Sequence, residues 1–71
     1  MSDQYSTRAL RGRLDRNIGE LAQAISELME LDPEADIDTV AGRLSWIACH
    51  ARNTASAAGD LKSAKREEAR R

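Results

Sequence analysis

The chain has 71 residues, a formal net charge of −1, no Phe, and one each of Trp, Tyr, Cys and His. A chain this short forms at most one domain and buries only about 60% of the surface its unfolded form exposes, and its alanine-rich apolar set makes that core thin. Lone Cys49 excludes an internal disulfide, and one Cys with one His (His50) is too few ligands for a closed zinc site, so no metal or cofactor is expected and self-association is the expected source of stability.

No apolar run approaches the roughly 20 residues a membrane-spanning helix needs, and Met1 to Leu10 lacks the charged-then-apolar layout of a secretory signal. A cytoplasmic location with no membrane contact is expected. The charge changes sign along the chain. Up to Asn17 there are four arginines (Arg8, Arg11, Arg13, Arg16) against Asp3 and Asp15. From Ile18 to Asp38 there are seven acids and no base, and from Thr39 onward seven bases oppose three acids.

The first element is a helix over about 7–31. Leu10, Leu14, Ile18, Leu21, Ile25 and Leu28 recur at helical spacing with charges between them. In heptad terms Ile18 and Ile25 take a while Leu14, Leu21 and Leu28 take d, a choice that favours two-stranded packing. Ala22, Ala24 and Met29 widen the stripe, so this helix can face more than one neighbour.

Pro33 removes a donor and pushes Asp32 out of helical geometry, which places a turn at about 32–37. The second helix can be capped by Asp32, Asp36 or Asp38. Over about 38–66 the pattern Ile37, Val40, Leu44, Ile47, Ala51, Thr54, Ala58, Leu61 runs at alternating spacings of three and four. The positions shrink from bulky to small, so this half is the weaker one. Gly59 costs about 1 kcal/mol relative to Ala, and the charged end from Lys62 to Arg71 is expected to fray.

Two helices of about 25 residues joined by a short turn run antiparallel. The fold class is therefore all-α, a two-helix hairpin spanning 1–71 as one domain. Its expected oligomer seam is Leu14, Ile18, Leu21, Ile25 and Leu28 with Val40, Leu44, Ile47 and Ala51. The hairpin gathers base at its open end and acid at its turn, and two rods side by side in opposite directions bring unlike ends together. An antiparallel dimer, a four-helix bundle, is the expected assembly, with higher helical oligomers as the alternative.

No catalytic set appears. Cys49 and His50 are neighbours on a helix, about 100° apart, and do not face each other. The chain is read as a non-enzyme. Arg43, Trp46, His50 and Asn53 lie on one flank of the second helix, a polar, basic and aromatic stripe able to anchor a protein partner or stack on a base. The alternative is that Trp46 covers the hairpin edge or an oligomer interface while Arg43 pairs with an acid. Tyr5 and Arg8 begin a second patch able to meet phosphate, and a solvated helix face accounts for it equally well.

The turn sequence Leu28, Leu31, Asp32, Glu34, Ala35, Asp36, Ile37 resembles the corner of Rop-like plasmid proteins. That resemblance implies an antiparallel hairpin dimer binding paired RNA loops, and it concerns architecture more than individual RNA-contacting residues. Gly19, Glu20, Leu21, Ile25, Glu27 and Leu28, followed by Arg43, Ile47 and Ala48, are similar to the residue order in phage anti-CBASS sponge proteins. This second likeness implies a helical oligomer sequestering a cyclic oligonucleotide, with Tyr5 in the place of a stacking tyrosine, although Trp46 sits elsewhere than that family's tryptophan.

Three functions follow as expectations. The first is a helical protein that binds and inhibits or adapts a host protein, in keeping with a compact Ala- and Arg-heavy phage or mobile-element accessory chain acting in anti-defence. The second is a sponge for a small phosphorylated ligand, and the third an RNA-binding regulator.

Overall fold

The computed structural model describes residues 6–70. Two helices make up the fold: α1, Thr7–Met29, and α2, Ile37–Ala69. Each starts where an oxygen-bearing side chain satisfies an orphan amide. The Ser6 hydroxyl accepts from the Ala9 N–H at 3.1 Å, and the Asp36 carboxylate accepts from the Thr39 N–H at 3.2 Å. Of the three candidate caps for the second helix, Asp36 is the one used.

Asp32 instead shapes the turn. Its carboxylate accepts from the Glu34 N–H at 2.9 Å and its carbonyl accepts from the Ala35 N–H at 2.9 Å, an Asx-type turn around Pro33. α1 therefore ends two residues earlier than the spacing suggests. α2 continues three residues further, through the charged segment expected to fray, and its end is closed by an Arg70 N–H to Arg66 carbonyl bond of 3.2 Å.

The helices lie antiparallel in a rod of 56 × 17 × 13 Å. Thr7 donates its hydroxyl to Glu68 at 2.9 Å, and Arg13 pairs with Asp60, which fixes the open end. Between helices, α1 contributes Leu10, Leu14, Asn17, Leu21, Ala24 and Leu28. α2 contributes Val40, Ile47, His50, Thr54, Ala57 and Leu61. All of these are buried or half-buried. Among the described residues, those fully inside are Leu10, Ala24, Ala57 and Leu61.

Within the hairpin the d-type and a-type positions of the two stripes part. Leu14, Leu21, Leu28, Val40 and Ile47 face the partner helix, whereas Ile18, Ile25, Leu44 and Ala51 are exposed, as are Ile37 and Ala58. Toward the other helix stand instead the preceding residues Asn17, Ala24, His50 and Ala57. Ala24 and Ala57 are small enough to sit wholly between the helices, where a β-branched Ile would hold the helices apart. The displaced residues share one flank of the rod, because on both helices they lie on the same side of the seam, away from the flank that carries Glu20, Glu27, Arg43 and His50.

Candidate partner-binding grooves at Trp46

Helical spacing places Arg43, Trp46 and His50 on one flank of α2, and the antiparallel pairing brings Glu20, Gln23 and Glu27 of α1 alongside. Glu20 and Glu27 are two turns apart, as are Arg43 and His50. Two cross-helix pairs result: Arg43 Nη1 lies 3.6 Å from Glu27 Oε2, and His50 Nδ1 lies 3.7 Å from Glu20 Oε2. Both distances exceed the 2.7–2.9 Å of a tight charge-assisted hydrogen bond, so these pairs orient side chains more than they stabilise the hairpin.

Trp46 stands between two grooves. One, of about 550 Å³, is lined by Arg16, Gly19, Glu20, Gln23, Glu27 and His50 together with the indole. The other, of about 410 Å³, is bounded by Asp38, Thr39, Gly42 and Arg43 on the far side of the same ring. The indole is 55% exposed. It is held upright by His50, whose ring meets it edge to face with centroids 4.7 Å apart and planes at 85°. His50 itself is largely covered, with 14% of its side chain exposed.

Of the residues expected at a binding site, Arg43, Trp46 and His50 come together. Asn53 is exposed and lines neither groove. Arg8 is exposed about two turns before Arg16, away from the indole. Tyr5 lies outside the described residues. The α1 half of the site was missed from sequence, yet it carried a signal: the spacing of Glu20 and Glu27 matches that of Arg43 and His50, as facing heptads with opposite charge do.

The grooves carry acid as well as base. Glu20, Glu27 and Asp38 contribute carboxylates, and the Arg43 and His50 side chains already face two of them. Among the described residues no three of His, Cys, Asp or Glu gather as a metal site, and no helix is long and apolar enough to cross a membrane. Cys49 is half-buried and unbridged. No family model, curated protein or solved structure matches the chain.

Proposed function

We propose that this chain is a non-enzymatic helical interaction protein that docks a protein partner on its Trp46 face and thereby inhibits or adapts it. One observation carries the reading: a half-exposed indole, braced edge-on by His50, rises between two adjoining grooves. A rigid aromatic flanked by depressions is the usual anchor of a protein interface, since it buries a large area at small entropic cost. A protein is preferred to a nucleotide because Glu20, Glu27 and Asp38 share the grooves with Arg16, Arg43 and His50, so neither groove gathers base alone for a phosphate. A phage or mobile-element accessory role in anti-defence is the setting that suits such a protein.

Cross-linking the tagged chain in its source cells, with Trp46→Ala in parallel, tests this once the captured protein is purified and the pair rebuilt. Trp46→Ala should weaken the rebuilt complex at least tenfold, about 1.4 kcal/mol or more. Cyclic dinucleotides that raise the melting temperature of the wild type but not of Trp46→Ala would replace the protein reading with a sequestering one.

A second reading has one observation in its favour. Arg8, Lys62, Lys65 and Arg66 are exposed near the open end and make no ion pair among the described residues. RNA binding there would fall steeply as salt rises, and no binding to short RNA hairpins at low salt ends that reading.

A further inference from the structure

The flank opposite Trp46 is apolar and uncovered. Ile18 is 46% exposed, Ile25 41%, Leu44 50%, Ile37 76% and Met29 80%, so large side chains from both helices stand in water along one side of a narrow rod. Among the described residues the hairpin's own interior holds four that are buried, two of them alanine. That is a small core for a free-standing chain of this length.

We propose that this flank is covered by a second copy of the same chain lying antiparallel to the first, giving a four-helix assembly. Two separate complementarities on the flank select that occupant and that direction. The first is size. Bulk is concentrated toward the turn, in Ile25, Met29, Ile37 and Leu44, with Ile18 standing beyond them, whereas on α2 Ala51, Ala55 and Ala58 flatten the same flank toward the open end. Turning the second copy end for end sets the bulky half of each rod over the alanine half of the other. Knobs then meet holes at both ends, and a twofold axis makes the contact self-complementary. A parallel copy would stack bulk on bulk and leave alanine opposite alanine across a gap.

The second is charge. The turn end carries Glu30, Asp32, Glu34, Asp36 and Asp38 with no base between Leu28 and Gly42, while Arg8, Arg11, Lys62, Lys65 and Arg66 stand at the open end. The antiparallel copy brings each acidic tip beside a basic end, and the parallel one brings acid to acid. Ile18, Ile25, Leu44 and Ala51 are thus interface residues between chains, not within one. The proposal is independent of the Trp46 face, which stays outward in the assembly.

Sedimentation equilibrium of the full chain across micromolar concentrations and two salt levels tests it. The expected mass is twice the 7.8 kDa of the single chain, with dissociation promoted by salt. The pair Ile25→Glu with Leu44→Glu should give the single-chain mass. Should that pair also lose helicity by circular dichroism, the milder Ile25→Ala with Leu44→Ala is expected to raise the dissociation constant at least tenfold. Direction is read by spin labels at Glu34→Cys in a Cys49→Ser background, where the antiparallel assembly separates the two labels by close to the 56 Å length of the rod. A wild type that stays single at every concentration overturns the proposal. So does a dimer indifferent to both variant pairs, or a label separation less than half the rod's length.

Discussion

His50 meets Trp46 edge to face with ring centroids 4.7 Å apart, and on its other side its Nδ1 lies 3.7 Å from Glu20 of the facing helix. The imidazole therefore links the exposed indole to α1, and the indole inherits the rigidity of the two-helix scaffold although it is itself more than half in solvent. Removing His50 should free the ring without removing it. Because Trp46 is the sole tryptophan, time-resolved fluorescence anisotropy reports on it alone. His50→Ala is expected to increase the amplitude of fast local motion and to cost about 1 kcal/mol of stability, the worth of an aromatic edge contact plus some lost packing. An unchanged anisotropy decay would mean the indole is held by something other than His50.

The start of α2 responds to acid through Asp36. Hydrogen bonding by Thr39, from its side chain and then its backbone N–H, holds the Asp36 carboxyl below the usual aspartate range, against a small opposing effect of burial. A lowered folded-state pKa means that the cap's contribution is complete above the ordinary aspartate pKa and is lost as pH falls from there through the lowered value. Acid titration followed by circular dichroism should show part of the α2 signal lost in that window. In Asp36→Asn, which keeps an acceptor oxygen but does not titrate, that component should be absent.

The interior is small enough that single truncations decide it. Leu61, 6% exposed, closes the open half of the seam opposite α1. Leu61→Ala should cost about 2–3 kcal/mol, the low end of the range for buried leucine because solvent can reach part of the space left behind. For a 71-residue chain this lowers the melting temperature by roughly 10 °C or more. Arg52→Ala, at an exposed position without an ion pair among the described residues, should stay within about 0.5 kcal/mol of the wild type. Equal effects from the two would place the seam elsewhere on α2.

How far the sequence reaches is clearest at Ile18, Ile25 and Leu44. The 3.5-residue spacing located both helices and the turn between them, and the d-type residues Leu14, Leu21, Leu28, Val40 and Ile47 do face the partner helix. Spacing alone could not choose between Ile18 and Asn17, or Ile25 and Ala24, because the apolar stripe on α1 is wide enough to serve two neighbours. Bulk suggested isoleucine, whereas close approach of two helices is served by alanine. At the site, the flank of Arg43, Trp46 and His50 followed from helical spacing, and Arg43 does pair with an acid, Glu27. The contribution of α1 was hidden because it depends on inter-helix register, which becomes visible only once Glu20 and Glu27 are set against His50 and Arg43.

Glycines offer a means of separating stability from recognition. Gly12, Gly42 and Gly59 all lie within helices at negative φ, and an added Cβ at each would meet nothing within 4 Å. Alanine should stabilise each helix by about 0.5–1 kcal/mol through lower backbone entropy in the unfolded chain. Gly12 and Gly59 line neither groove, so Gly12→Ala with Gly59→Ala is expected to raise the melting temperature by several degrees and leave partner affinity unchanged. Gly42 lines the groove that Asp38, Thr39, Arg43 and Trp46 bound. Gly42→Ala should raise the melting temperature similarly, but its methyl group narrows the space beside the indole, and partner binding should weaken severalfold despite the firmer scaffold. Binding that rises or holds steady in Gly42→Ala would show that the partner does not enter this groove and would confine the interaction to the Glu20 and Gln23 side of Trp46.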